Sequence, residues 1–228
     1  PGDRTSHDGS DAVETELSMT ADAVYPVGQI LGANKNASGI TLEINDVIYG
    51  NNEVCGDCGP ADDGTQRIYA AEKGGAAAKP IVHYSLDGGA TWSTSSISTA
   101  ANAEAIAKLG IMGSYIVALS ATANTATRGG YYYATLNPLT GAPGTWTKVT
   151  TGFTDTYEPR DMVVLGPREA YICTDSGEIL TITDVPSGAT SLGIVTTSDL
   201  GRISAYGNTI VAVGASGAVL RSINRGKS

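Results

Sequence analysis

The chain has 228 residues and a formal net charge of −9, with 14 basic against 23 acidic side chains. An acidic chain without a basic stripe is unsuited to a phosphate backbone, and no apolar run reaches the roughly 18 residues that cross a bilayer; we therefore predict neither nucleic-acid binding nor membrane insertion. Its 29 glycines and only 16% charged residues favour an all-β protein with many turns.

The first part of the chain differs in kind from the rest. It opens with PGDRTSHDGSDAVETE, which is polar and acidic and has no apolar periodicity. Such a stretch cannot bury enough apolar surface to fold alone, so we assign residues 1–39 to a polar arm or leader. Two interpretations stay open. One is an arm that docks on a neighbouring subunit, or the remains of an earlier structural unit; the other is a disordered leader followed by the first strand.

The segment NEVCGDCGPADDG, residues 52–64, interrupts the first structural unit. Cys55 and Cys58 lack the second Cys or His pair that a zinc site needs, and the acidic residues of this loop lack EF-hand spacing. We predict no metal here, and a local disulfide, two free thiols or an intermolecular bridge for the cysteines. Cys173, in AYICT, and His83, in PIVHY, are interpreted as strand residues.

The stretch YSLDGGATW, residues 84–92, has the pattern of a hairpin turn between two strands. Asp87 can accept hydrogen bonds from the backbone amides of its own turn, and Gly88 and Gly89 supply the positive φ angles that a tight turn demands. The Thr-Trp pair that follows starts the return strand, with the indole of Trp92 over the turn. Every residue of the motif therefore has a structural reason to be there, and no catalysis is needed to explain it.

The same turn recurs in degraded form in TLNPLTGAPGTW, TITDVPSGATS and SINRGKS. The shared glycines are spaced by 52, 47 and 38 residues, which is the spacing of propeller blades; they are Gly89, Gly141, Gly188 and Gly226.

Each unit reads as three strands, the turn motif and a fourth strand, so we predict a β-propeller of four-stranded blades over residues 40–228. The units are approximately 40–103, 104–154, 155–198 and a partial 199–228. Four units are few for a closed ring, and we expect a longer protein or blades completed by other segments or chains.

The turn SLDGGATW resembles the Asp-box, or BNR repeat, whose pattern is Ser-x-Asp-x-Gly-x-Thr-Trp. The resemblance covers roughly residues 65 to 228. Asp-box propellers include sialidases, some glucan hydrolases, sortilin-type receptors, photosystem II assembly factors, and tailed-phage virion proteins labelled as similar to those factors. The resemblance implies a structural role for the turn residues, on the face opposite the usual active site: Ser85, Asp87, Gly89, Thr91, Trp92, Asn137, Gly141, Trp146, Asp184, Gly188, Asn224 and Gly226.

In propellers of this kind, function usually lies on the other face, at the loops that enter the first strands and at the turns between second and third strands. The densest polar group there, with Arg202 and Arg128 as expected neighbours, comprises Asp155, Tyr157, Glu158, Arg160 and Asp161. A sialidase needs a Tyr–Glu pair, an acid and three arginines, but its Phe/Tyr-Arg-Ile-Pro motif is missing. A glucan hydrolase needs an aromatic-lined cleft, yet aromatics are 6% of the chain. The alternative is that Arg160 pairs with neighbouring carboxylates on a solvated loop.

We therefore predict a non-enzymatic structural or interaction propeller without a cofactor, in a virion or another extracellular assembly, closest in texture to the tailed-phage proteins. Its expected partners are other protein subunits, with a surface glycan as a further candidate. The alternative is a glycan-binding or assembly-factor propeller of a bacterial envelope. A sialidase-like glycoside hydrolase is the least favoured of the predicted functions.

Overall fold

The structure is a computed structural model that describes residues 44–50, 67–74, 78–122, 129–154 and 157–227. The predictions that concern the arm 1–39, Cys55, Cys58, Arg128 and Asp155 fall outside these ranges. In the described part, the chain forms 15 β-strands and one short 3-10 helix, Ala215–Gly217.

The strands form four successive antiparallel sheets, numbered blades 1 to 4, in which each strand pairs with its sequence neighbours. Blade 1 contains β1 (Ile44–Tyr49), β2 (Ile68–Glu72), β3 (Ile81–Ser85) and β4 (Ser93–Ser96). Blade 2 contains β5 (Ile106–Met112), β6 (Tyr115–Ser120), β7 (Tyr131–Thr135) and β8 (Thr147–Val149). Blade 3 contains β9 (Pro159–Gly166), β10 (Glu169–Thr174), β11 (Glu178–Asp184) and β12 (Gly188–Ile194).

Blade 4 has three strands within the described residues, namely β13 (Leu200–Tyr206), β14 (Thr209–Gly214) and β15 (Val219–Ser222). The first strands of successive blades, β1, β5, β9 and β13, lie side by side. The predicted all-β propeller of four-stranded blades is confirmed by this arrangement.

Strand alternation gives the inner strands of blades 2 and 3 two buried faces, one towards the preceding blade and one towards the next. Between blades 1 and 2, Ala71 and Val82 pack against Leu109 and Ala118. A second cluster fills the space between blades 2 and 3, and a third lies between blades 3 and 4. The core therefore consists of layers between blades, and each blade is stable only against its neighbours.

A tyrosine hydroxyl crosses each of these three boundaries. Tyr69 on β2 donates to the carbonyl of Gly141 at 2.7 Å. The Tyr171 hydroxyl on β10 lies 2.8 Å from the carbonyl of Arg225 and 2.9 Å from Oε1 of Glu169, so its single proton has two acceptors. Between blades 2 and 3, Tyr131 on β7 donates to the carbonyl of Val185. In every case the acceptor carbonyl lies in the turn between third and fourth strands of the next blade, or in its counterpart after β15.

Burial raises the pKa of both Tyr69 and Tyr171 to about 12, so these hydroxyls keep their protons at neutral pH. A protonated hydroxyl can donate, whereas a phenolate would repel the carbonyl oxygen. The turns are thus fixed to the preceding blade by a bond that ordinary pH changes do not break.

The first strands are linked by carboxylates as well. Asp46 on β1 accepts a hydrogen bond from the Leu109 amide at 2.7 Å and pairs with Lys108 at 3.0 Å. Asp161 on β9 accepts from the Ile203 amide at 3.1 Å in the same way. Both carboxylates therefore satisfy a backbone donor of the next blade.

We expect Tyr69→Phe to lower the free energy of unfolding by about 1–3 kcal/mol, because the buried Gly141 carbonyl then loses its donor. Urea denaturation of both proteins at neutral pH measures the difference. Tyr206→Phe is the matched control, since Tyr206 is 91% exposed, and it should leave stability unchanged. Equal stability of all three proteins would show that the hydroxyl does not hold the turn.

Candidate functional site

The antiparallel order of the strands separates two ends of every blade. The turns between first and second strands and those between third and fourth strands lie at one end, here called the turn end. The residues that enter each first strand, and the turns between second and third strands, lie at the other, here called the entry end. The residues that the sequence predicts as a binding face lie at the entry end, and the repeated turn motif lies at the turn end.

The 85–92 turn is closed by its own side chains. The Ser85 hydroxyl accepts from the Gly89 amide and donates to a carboxylate oxygen of Asp87, both at 2.7 Å. That carboxylate also accepts from the Thr91 amide at 2.9 Å, and the Trp92 indole donates to the Gly89 carbonyl at 3.0 Å. All five motif residues are therefore engaged with one another.

The electrostatics of Asp87 follow from these bonds. Its slight burial alone would raise the pKa of the carboxyl, but hydrogen bonds from Thr91, Ser85 and Ala90 outweigh that effect and hold the pKa below its usual range. The ionised form is thus the one that the folded turn stabilises.

The last turn repeats the geometry of the first. The Ser222 hydroxyl accepts from the Gly226 amide at 2.8 Å and donates to the Asn224 side chain at 2.9 Å. An asparagine oxygen here replaces the carboxylate of Asp87. The recurrence of these contacts explains why serine and glycine recur in the sequence at the same spacing.

The two middle turns differ in detail. The Asn137 side chain accepts from the amides of Leu139 and Thr140 at 2.9 and 3.0 Å, whereas Asp184 is bound by the Ser187 hydroxyl. Gly188, at φ 111°, packs so closely on Thr151 of blade 2 that a Cβ atom there would approach within 2.6 Å of it.

The two tryptophans have different positions. Trp92 is half-buried over its own turn, as the sequence indicated, but Trp146 is only 2% exposed and lies between blades 1 and 2. Its indole donates to the Ser95 hydroxyl on β4 at 2.9 Å. Trp146 therefore fills the boundary between two blades just before the fourth strand of blade 2 begins.

At the entry end, the polar group predicted as a binding face is an ion-pair cluster. Arg160 contacts Glu158 at 3.1 Å and Asp175 at 3.3 Å, and Asp175 also accepts from the Glu158 amide at 2.8 Å. Tyr157 is half-buried at the start of this segment. Asp175 was not singled out from the sequence, because its position in the turn before β11 gave no sign of its partner.

Neither Asp161 nor Arg202 takes part in these ion pairs. Asp161 is only 6% exposed and accepts from the Met162 and Ile203 amides, so it holds blades 3 and 4 together. Arg202 is exposed on β13, where it lies opposite Val213 of β14. In blade 3, Asp161 of β9 lies opposite Cys173 of β10. Cys173 is fully buried, and burial raises the pKa of its thiol to about 12, which fits an inert core residue.

Two buried polar groups had no signal in the sequence. Glu104 is fully buried and accepts from the Tyr132 hydroxyl, the Ser120 hydroxyl and the Gly129 amide at 2.7, 2.6 and 2.9 Å. His83 is bonded through Nε2 to Glu72, both buried on blade 1. Glu104 is fully engaged by donors of the fold, which is typical of a structural role. Nδ1 of His83, in contrast, is buried without a hydrogen-bond partner among the described residues.

The described ranges contain no group of three or more His, Cys, Asp or Glu side chains that could hold a metal ion. In the same ranges, no helix is long and apolar enough to cross a membrane.

No protein-family model and no curated protein matches this chain. Among solved structures, it is similar to YCF48 from Cyanidioschyzon merolae, with a TM-score of 0.55 and 14% identity over 89% of this chain and 58% of that one. A structure of YCF48 bound to D1 peptide also matches, with a TM-score of 0.36 and 13% identity over 69% of this chain and 60% of that one. The chain thus spans about 58–60% of the length of these structures. At 14% identity, the likeness to the structure from Cyanidioschyzon merolae shows a shared fold and nothing more.

We expect the stability of Asp87→Asn relative to the unsubstituted protein to depend on pH. The folded pKa of Asp87 lies below the unfolded value of about 3.9. Its contribution is therefore complete above that value and is lost as the pH falls through the folded pKa. Urea midpoints should differ most near neutral pH and converge in acid. Asp199→Asn, at an exposed position, controls for the loss of one negative charge; a gap that stays constant down to about pH 2 would contradict this account.

Truncation of the adjacent residues Arg160 and Asp161 should lower the free energy of unfolding by different amounts. Asp161→Ala leaves the buried Ile203 amide without its acceptor and should cost about 1–3 kcal/mol of unfolding free energy. Arg160→Ala removes partly exposed ion pairs and should cost less than about 1 kcal/mol. Denaturant titration of the two variants compares them directly, and the reverse ranking would refute the placement of these side chains.

Proposed function

We propose that this chain is a non-enzymatic β-propeller that binds a protein partner through its entry end and serves in the assembly of a larger complex. The observation that carries the proposal is the ion-pair cluster of Arg160, Glu158 and Asp175, which is solvent-accessible and surrounds the start of β9. The likeness to YCF48 supports the propeller scaffold that this proposal needs.

The cluster suits recognition better than stability. Exposed ion pairs contribute at most about 1 kcal/mol to folding, whereas charged side chains held in fixed positions steer partners and select among them. Here Asp175 fixes both the Glu158 backbone and the Arg160 guanidinium, so the charges are presented in one arrangement. The half-buried ring of Tyr157 beside them offers apolar contact area next to the charges.

Hydrolytic chemistry is disfavoured by the same contacts. A glycoside hydrolase uses two carboxyl groups that flank the scissile bond. The Glu158 carboxylate is held in an ion pair with Arg160, and the buried Asp161 carboxylate accepts hydrogen bonds from two backbone amides. This supports the prediction that no residue of the group is catalytic.

The tailed-phage virion assignment and the extracellular location stay predictions, as does membership of the Asp-box family. A surface glycan remains the second candidate ligand predicted for the same end of the blades. One set of variants distinguishes a protein partner from a glycan ligand.

The test is co-purification of the native protein from its source, with quantification of whatever accompanies it in fixed ratio. We expect Arg160→Glu to reduce retention of the partner about tenfold or more, because it reverses the charge of the cluster. Arg168→Glu is the matched control, since Arg168 is an exposed arginine of blade 3 at the turn end. Equal retention by both variants would refute an entry-end protein site.

Glycan binding and hydrolysis are measured on the same proteins. Hydrolysis of a sialoside or a glucan that Glu158→Gln abolishes would overturn the non-enzymatic proposal. Binding of a glycan that Arg160→Glu abolishes, with no protein retained in fixed ratio, would favour the glycan-binding alternative.

A further inference from the structure

The side chain of Arg67 lies at the boundary between blades 1 and 2, at the turn end. Arg67 immediately precedes β2, its carbonyl accepts from the Gly50 amide at 2.8 Å, and only 8% of the residue is exposed. Its stem crosses the turn of blade 2, because a Cβ atom on Gly141 would lie 2.6 Å from Cδ of Arg67 and 2.7 Å from Nε. This packing fixes the position of the guanidinium.

The Arg67 guanidinium has no counter-ion within the described residues. It belongs to none of the ion pairs found there and forms no hydrogen bond with those residues. None of its nitrogens is buried without a partner, so the donors reach solvent although the stem is covered. A long stem packed on the fold with its head in water holds the charge at one place on the surface.

The boundary between blades 3 and 4 shows which groups meet at the corresponding position. There Glu169 precedes Tyr171 by two residues, and its carboxylate pairs with Arg225 at 2.9 Å. Arg225 is the residue before Gly226, the glycine of the last turn. An acid and a base therefore join the start of a second strand to the turn of the next blade.

Between blades 1 and 2, the described residues supply one half of such a pair. Arg67 precedes Tyr69 by two residues, in the place that Glu169 has on β10, but the residue before Gly141 is the neutral Thr140. A hydroxyl cannot neutralise a guanidinium. The group that matches Arg67 by analogy with the other boundary is a carboxylate.

Two further groups extend this site. Tyr84 on β3 lies opposite Tyr69, is half-buried, and its hydroxyl forms no hydrogen bond with the residues that the structure describes. Burial raises the pKa of Tyr69 to about 12 and the charge of Arg67 opposes this rise, as expected for a cation close to that hydroxyl. Leu139, in the same turn as Gly141, is 77% exposed. A fixed arginine and a tyrosine beside exposed apolar surface are typical of protein interfaces.

We propose that Arg67 anchors a second interaction surface, at the turn end between blades 1 and 2, and binds the carboxylate of an aspartate or glutamate side chain on a partner polypeptide. The planar guanidinium suits a carboxylate bound through two parallel hydrogen bonds. The Tyr84 hydroxyl is a further donor to the same anion, and the partner covers Leu139. The surface lies at the opposite end of the blades from the Arg160 cluster, so it does not depend on the function proposed above.

The probe is a synthetic peptide of alternating glycine and glutamate, titrated into the full chain while the side-chain Nε–H resonance of Arg67 is followed by NMR. We expect saturable binding that shifts this resonance. The matching glycine–glutamine peptide should bind about tenfold or more weakly, because it offers no charge-assisted hydrogen bond. Equal binding of the two peptides, no binding of either, or binding that leaves the Arg67 resonance unmoved would overturn the proposal.

On the protein side, Arg67→Gln should weaken binding of the glutamate peptide about tenfold or more. Arg168→Gln is the matched control, since it removes one positive charge at an exposed position of the turn end, and it should leave the affinity unchanged. Equal losses in the two variants would show a general effect of charge and overturn the site. The NMR shift is measured on the unsubstituted protein, so it tests the site even if Arg67→Gln folds poorly.

The same assay distinguishes two other sources of the carboxylate. Asp57, Asp62 and Asp63 precede Arg67 in the sequence, and their joint replacement by asparagine tests whether this chain supplies the anion. Peptide binding to the triple variant alone would show that it does, and would rule out a partner at this site. Free glutamate that binds as tightly as the peptide would assign the site to small carboxylates and overturn the polypeptide partner. Tighter binding of the peptide to the unsubstituted protein supports the proposal.

Discussion

A buried tyrosine hydroxyl that donates to a carbonyl of the next blade is the contact on which the order of this fold depends. A single sheet with a 3–4 turn exposes polar backbone groups where it must pack against its neighbour. The hydroxyls of Tyr69, Tyr131 and Tyr171 satisfy one such group at each of the three boundaries. Because the rings also belong to the apolar layers between blades, the same residues join burial to hydrogen bonding.

This arrangement makes the blades mutually dependent. The apolar layers lie between sheets, so removal of one blade exposes a face of the next. The first strands follow the same logic, since Asp46 and Asp161 each satisfy an amide of the following blade. A turn in such a scaffold has two tasks, to close its own hairpin and to offer a carbonyl to the blade behind it. That double task accounts for glycines whose Cβ positions are already occupied by the preceding blade, as at Gly188.

The two ends of the blades differ in function because the turns at one end must hold the blades together. At the turn end, polar side chains such as Asp87 accept hydrogen bonds from their own hairpin. Few of their hydrogen-bonding atoms therefore remain for a ligand. At the entry end, Arg160 is held by Glu158 and by Asp175 of the turn before β11, and its side chain remains accessible to solvent.

The strand pattern, the recurrence of glycine after a polar residue, and the spacing of the units are local properties, and they were sufficient to predict four-stranded blades and the turn that joins third to fourth strands. Local hydrogen bonds within two to four residues explain this success, as in the 85–92 turn. Which side chains meet across 42 to 72 residues was decided by tertiary structure alone. Asp161 reads as one more polar residue beside Arg160, yet strand alternation turns it inward to the Ile203 amide. Equally, nothing near Tyr69 in the sequence indicates Gly141, because their contact exists only once two blades are packed face to face.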